Sequence, residues 1–227
     1  MAIDKYVDML SNFYAGGTSN HEEHDSNPDY LSILLKSIVS SKEKFDGKKF
    51  LDFGCGKGRN IKNAISLANW SKLDGVDISQ NNIDYCKKIF SDSKHEFWKN
   101  NGSDLSDLES NKYHFVMSTI VLQHICVHEL RFKLLKEIHR VMASGGLFSF
   151  QMGFGDISYN GSSKLTKYYD NNYDAASTNG GFDVQVDDPE YLVNDLKLVG
   201  FKDITYVIRP SWSDGGHSHW IYVEAYK

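Results

Sequence analysis

An α/β domain, with a mostly parallel sheet, helices on both faces and an antiparallel end, is the fold class predicted by this 227-residue sequence. Three observations predict it. From Lys48 onward, short apolar strands alternate with helical patterns, which is the arrangement of a parallel sheet covered on two sides. The first strand hands over to a helix through the glycine-rich stretch Asp52-Phe53-Gly54-Cys55-Gly56-Lys57-Gly58-Arg59-Asn60. The last two strands are joined only by Pro210 to Ser218, too short a connection to hold a crossover helix, so they must lie antiparallel.

Taken in order, the chain begins with a short helix around Asp4 to Phe13 and a polar, glycine-containing stretch that ends in His21-Glu22-Glu23-His24-Asp25. Asn27 and Pro28 suit the cap and first position of a second helix, whose apolar face is Leu31, Leu34, Leu35 and Val39. Lys49 to Phe53 is the first strand. The following helix, Arg59 to Trp70, carries Ile61, Ala64, Ile65 and Ala68 on one side. Leu73 to Ile78 is a second strand, Ser79 caps a helix through Phe90, and Glu96 to Trp98 is a third, short strand. Phe115 to Ser118 is the fourth, and Val127 to Met142 a helix with Val127, Leu130, Leu134, Ile138 and Val141 at helical spacing. Ser144-Gly145-Gly146 turns into a fifth strand, Leu147 to Met152. Asp188-Pro189 opens a helix to Val199, and strands Phe201 to Arg209 and His219 to Tyr226 close the chain.

These elements divide the chain into an N-terminal helical cap or lid, residues 1–47, and a main domain, 48–227. Between the fifth strand and the next helix, residues 153–187 are rich in Gly, Asn, Ser and Tyr. That is long for a loop in a compact domain, and it marks a lid-like insertion.

Composition narrows the setting. Hydrophobic residues make up 41%, enough for a core, yet no run reaches the ~18 apolar residues of a membrane span. The first residues lack the basic start and apolar middle of a signal peptide. Cys55, Cys86 and Cys126 are odd in number and scattered, which argues for a reducing compartment, here the cytoplasm, over a disulfide framework. A net charge of -5, without a Lys/Arg-rich stripe, disfavours nucleic acid as a partner. The oligomeric state has no signature.

The glycine turn carries the chemistry. Glycines at a strand end permit positive φ and close approach of a ligand, and the helix start offers free N–H groups. The spacing is G-x-G-x-G with an acidic residue two positions before the first glycine. It is neither the G-x-G-x-x-G of dinucleotide folds nor a P-loop, since no Gly-Lys-Ser/Thr follows.

This motif resembles the first motif of the class I S-adenosylmethionine-dependent methyltransferases. Other landmarks agree in order: Asp77 in Gly75-Val76-Asp77-Ile78, then Gly102-Ser103-Asp104-Leu105, then Phe115 to His124, then Arg140-Val141-Met142-Ala143-Ser144-Gly145-Gly146, where Ser144 stands in place of the usual proline. The resemblance implies a Rossmann-like, seven-stranded, mostly parallel sheet and S-adenosyl-L-methionine as cofactor. It implies a cofactor site of Asp52, Gly54, Cys55, Gly56, Gly58, Asn60, Asp77, Ile78, Asp104, Leu105 and Ser118. In it Asp77 would accept from both ribose hydroxyls, Asp52 would serve the ammonium, Asp104 the adenine amino group, and Ile78 and Leu105 would sandwich the ring. Each also has a plainer reading: strand-end cap, turn residue or, for Cys55, small filler.

The acceptor side is less marked. His124 follows the fourth strand, at the edge where open α/β sheets bind ligands, and is a candidate base or a buried structural histidine. His217 and His219 share a face and are further candidates for the pocket, or surface residues; a metal would need more ligands than the sequence offers nearby. His21 and His24 are three apart, not the four of a zinc helix. Tyr6, Tyr14, Trp212 and Trp220 are candidate pocket walls or packing residues. The fourth strand ends in Ser118, where metal-dependent catechol-type enzymes of the family carry aspartate, so no metal is expected. Neither the Pro-Pro-Tyr/Phe motif of nucleic-acid amino-methylating relatives nor a Pro-Cys pair is present. The expected activity is methyl transfer to oxygen or nitrogen of a small-molecule acceptor. The alternatives are a non-catalytic binding subunit, a protein or nucleic-acid methylase, and a nicotinamide-dependent oxidoreductase on a related fold.

Overall fold

The computed structural model describes residues 2–15, 29–161, 163–175, 181–211 and 216–227. The cluster His21 to Asp25, the cap pair Asn27-Pro28 and Trp212 lie outside these residues. Seven strands form one sheet in the order β3-β2-β1-β4-β5-β9-β8. They are β1 (Lys49–Phe53), β2 (Lys72–Asp77), β3 (Phe97–Lys99), β4 (Tyr113–Ser118), β5 (Met142–Phe154), β8 (Lys202–Pro210) and β9 (His219–Tyr226). Neighbours from β3 through β5 pair in parallel, and β9 runs antiparallel to both β5 and β8. The seven-stranded sheet with one reversed strand is thus as the sequence predicts.

Period-2 alternation sorts the strands onto two cores. Phe50, Phe115, Met117, Leu147 and Tyr222 face one cluster with α4 (Arg59–Ala64) and α5 (Gln80–Ile89). Leu51, Val116, Phe148, Phe150 and Ile221 face the other, with α6 (His128–Val141) and α7 (Pro189–Val199). Each fully buried side chain of this size contributes roughly 1.5–3 kcal/mol. Ser79 caps α5, accepting from the Asn82 amide, and Asp188 caps α7, accepting from the Glu190 amide with Pro189 behind it.

Four features differ from the sequence reading. The helix beginning at Arg59 stops at Ala64 rather than running to Trp70. Ser144, Gly145 and Gly146 lie inside β5 as a bulge opposite β4, where Tyr113 pairs with Met142 and Phe115 with Leu147. The described residues of 1–47 fall in two places. α1 (Ala2–Ala15) lies along the sheet's ligand edge. In contrast, α2 (Asp29–Leu34) and α3 (Lys36–Ser40) bury Tyr30, Leu31, Leu34 and Ile38 in the core below, where Ser149 Oγ donates to the Leu34 carbonyl at 2.7 Å. The insertion is a folded layer of its own. Its β6 (Lys164–Lys167) and β7 (Phe182–Gln185) pair in parallel, and Val186 bridges to Phe154 of β5.

Candidate active site

At the carboxyl ends of β1, β2 and β4 a cleft of about 430 Å³ opens, mostly apolar in its lining and within the range of small-molecule sites. Gly54, Cys55, Gly56, Asn60, Asp77 and Ile78 line one wall. Gly54 sits at φ 76, and a side chain there would overlap Val121. Gly56, at φ 51, has open space where its side chain would point, so a ligand can reach the backbone. The Gly56 and Ser79 amides each donate to Asp77 at 2.8 Å and Asn82 donates at 3.2 Å, aiming the carboxylate across the turn. Burial raises the Asp77 pKa against these three donors.

Asp52 stands behind this wall, fully buried. Its Oδ1 accepts from Asn60 Nδ2 at 3.1 Å, and Asn60 also donates to Thr119 Oγ1 at 2.8 Å. Asp52 Oδ2 and Asn60 Oδ1 are buried without partners. Burial pushes the Asp52 carboxyl up to about 7, with the Asn60 hydrogen bond and the Arg59 charge opposing it. An unpartnered buried carboxylate oxygen, an open glycine and an apolar wall at Ile78 suit a ligand with a cationic head and a hydroxylated, planar tail.

Several residues expected at the cofactor are placed elsewhere. Asp104 does not line this cleft; it binds Asn101 Nδ2 at 2.8 Å and faces Lys133 at 3.5 Å. Leu105 is buried in the core, and Asn100 and Gly102 line the wall instead. Ser118 also lies off the cleft, its Oγ donating to the Phe53 carbonyl at 3.0 Å; the next residue, Thr119, takes the lining position. Gly58 turns its backbone toward the Phe90 ring and Cys86, admitting the end of α5 rather than a ligand.

The facing wall is Phe13 and Tyr14 from α1, Ile120, Val121 and His124 after β4, and Ser163, Phe182 and Asp183 from the insertion. His124 ends a single 3-10 turn, Leu122–His124, and its side chain is partly exposed. Its Nδ1 lies 2.5 Å from Asp183 Oδ1, which leaves Nε2 as the nitrogen without that partner. Burial would lower the His124 proton affinity; the charge and hydrogen bond of Asp183 outweigh it and raise the pKa above the usual imidazole value. Burial alone would raise Asp183, and the two facing histidines, His124 and His217, hold it well below the usual carboxylate range. Tyr6, buried in α1, receives the Cys126 amide at 2.8 Å and donates to the His124 carbonyl at 3.3 Å, pinning the loop. Tyr14 is raised by burial and by the nearby carboxylates of Asp183 and Asp77.

His217 and His219 do not line the cleft. His219 opens β9 with Nδ1 3.1 Å from its neighbour Ser218 Oγ. His217 is buried behind Asp183, with Trp220 packed edge-on against its ring. Asp183 is the residue that sequence reasoning missed. The only signal for it was its place in the insertion, where no spacing ties it to His124. Among the described residues no group of three or more His, Cys, Asp or Glu is arranged to hold a metal, and no helix is long and apolar enough to cross a membrane.

A family model described as a methyltransferase domain matches residues 51–150. An uncharacterised protein of Rickettsia prowazekii is 26% identical over 122 residues, covering 53% of this chain and 48% of its own length, so the chain spans about half of that curated relative. Among solved structures, a phosphoethanolamine N-methyltransferase of Haemonchus contortus, in complex with phosphomonomethylethanolamine and S-adenosylhomocysteine, aligns at TM-score 0.60. It is 17% identical and covers 87% of this chain and 56% of that one. An S-adenosylmethionine-dependent methyltransferase of Methanosarcina mazei aligns at TM-score 0.62 with 18% identity, over 84% and 96% of the two chains. At these identities the likeness to solved structures is one of fold.

Proposed function

We propose that this chain, whose residues 51–150 match a methyltransferase domain, is a class I S-adenosylmethionine-dependent methyltransferase that methylates an oxygen or nitrogen of a small-molecule acceptor, with His124 as the base. The observation that carries this is the placement of Asp77 and the His124–Asp183 pair on facing walls of one cleft.

When bound, the cofactor supplies an electrophilic methyl group on a positively charged sulfur that departs as a neutral thioether. The chain's residues do the rest. Gly56, Asp77, Ile78 and Asn60 would hold the cofactor, with Asp52 behind Asn60 as a buried counter-charge for a cationic head. Asp183 fixes the His124 ring with Nδ1 toward itself, so Nε2 is the nitrogen that takes the acceptor's proton as the new bond to carbon forms. Phe13, Tyr14, Val121 and Phe182 exclude water from that end. α1 and the insertion act as the lid, since both carry cleft residues and lie outside the seven-stranded sheet, the insertion tied to it at the Val186–Phe154 bridge. A small acceptor suits a cleft walled on several sides. The three cysteines are buried and free, which fits the reducing cytoplasm.

Methyl-labelled cofactor incubated with small alcohols, phenols and amines, beside bulk RNA and unfolded protein, tests this reading. Label should appear in a small molecule and be lost in His124→Ala. Label only in RNA or protein would overturn the acceptor class. Binding without transfer to anything would favour a non-catalytic subunit.

A further inference from the structure

Asp183 has a second neighbour that the proposed transfer does not use. Its Oδ2 accepts from Ser163 Oγ at 2.9 Å and stands 3.3 Å from His217 Nε2, within ion-pair distance but off the line of a hydrogen bond. His217 is 1% exposed, and a side chain at Gly153 would overlap its ring, so β5 is shaped to admit it.

The hydrogen bonds around His217 assign its protons. Gln185 Nε2 donates to the Asp156 carbonyl at 3.2 Å, which turns Gln185 Oε1 toward His217. That oxygen lies 2.5 Å from Nδ1, so Nδ1 carries a proton. The opposite nitrogen faces a carboxylate that is ionised across the neutral range. A bare lone pair at that distance, on a ring 1% exposed, would repel the carboxylate, whereas a proton is attracted to it, and that attraction opposes the cost of burying the charge.

We propose that His217 is protonated at both ring nitrogens and forms a buried cation that shares Asp183 with His124, thereby setting the pH at which His124 can take a proton. His217 is then a positioning residue, acting through Asp183 and touching no reactant. Its influence on turnover rests on His124 being the base; its proton assignment does not. The charge balance is local. Asp183 stabilises the imidazolium of His124, and the cation on its far side weakens that effect. Among the described residues, the other titratable groups facing this set are Tyr14 of α1, 6.3 Å from the His124 ring, and Cys126, both held neutral by burial.

Nitrogen NMR of the histidine-labelled chain, titrated from pH 5 to 9, tests the proposal without any acceptor. His124→Gln and His217→Gln identify the two signals by their loss. Both His217 nitrogens should report the protonated form at pH 7. In His217→Gln the His124 midpoint should rise by about one pH unit, because an unshared carboxylate holds its proton more tightly. One bare nitrogen on His217 at pH 7 overturns the proposal, as does an unmoved His124 midpoint in a folded His217→Gln chain. If that variant does not fold, His124→Gln still marks the His124 signal, and the wild-type spectrum decides, since a wild-type ring with two protonated nitrogens supports the proposal and a bare one sinks it. Predicted spectra in a chain that transfers no methyl group to any acceptor would refute the proposed function and leave this assignment standing.

Discussion

The two walls of the cleft are assembled in opposite ways. Gly54, Gly56, Asp77 and Ile78 come from one βαβ stretch, positioned by the ends of adjacent parallel strands and by short-range bonds such as Ser79 N–H to Asp77. The facing wall takes Tyr14, His124 and Asp183 from three distant segments, held by bonds such as the one that ties Tyr6 to His124 across 118 positions. A wall made of strand ends inherits its geometry from the sheet. A wall made of loops depends on a few specific contacts, and changes of acceptor can be accommodated there without disturbing the cofactor side.

The largest test of this division is His124→Ala. It should reduce turnover by ~10²–10⁴-fold, as expected for loss of a general base, and leave cofactor affinity nearly unchanged by calorimetry. In the unaltered chain, turnover should rise with pH through a midpoint above the ordinary imidazole value of 6.5, because Asp183 favours the protonated ring. A comparable loss of cofactor affinity in His124→Ala would show that the walls are not separable.

Asp77→Ala is the mirror experiment. It removes the charged acceptor on the strand-built wall and should weaken S-adenosylhomocysteine binding by ~1.5–3 kcal/mol. Unchanged affinity would take Asp77 out of the site.

A third outcome concerns pH and Asp52. Burial raises its carboxyl from 3.8 to about 7 in the fold. This group's contribution to stability is therefore complete below about pH 4 and is lost as the pH rises through 7. Between pH 5 and 7 the cofactor-free chain should lose on the order of 2 kcal/mol from this group. Thermal melts of Asp52→Asn should show that part of the slope removed; parallel slopes in the two chains would contradict it.

The smallest expected effect is at Tyr6→Phe. Removing the hydroxyl leaves the Cys126 amide without its partner and should cost ~1–2 kcal/mol of stability. Hydrogen exchange should quicken around Cys126 and leave Gly54 to Gly58 unaffected. Equal quickening in both walls would break the comparison drawn above.

The same contrast explains what was legible in the sequence. Strand order, the reversed last strand and the glycine turn follow from periodicity and spacing, which local sequence records. Asp104 and Ser118 carry the right residue types for a ligand but turn aside, because Asn101, Lys133 and the Phe53 carbonyl offer nearer partners. Asp183 has no local signature. It meets His124 only because β7 folds back over the 3-10 turn, across 59 positions. Glycines mark both a turn and a bulge, so the sequence at Ser144 to Gly146 predicts a turn, and pairing with β4 makes it a bulge.

The reversal of β9 also has a consequence for the timing of assembly. Parallel strands deliver their last residues to the ligand edge, whereas a reversed strand delivers its first, and so His217 arrives there just ahead of β9. During synthesis the glycine turn, Asp77 and His124 emerge from the ribosome well before Asp183 and His217. A nascent chain halted after Met152 would hold the glycine turn, Asp77 and His124 without Asp183 or His217, so the pairing on which the proposed role of His124 depends is among the last contacts the growing polypeptide acquires.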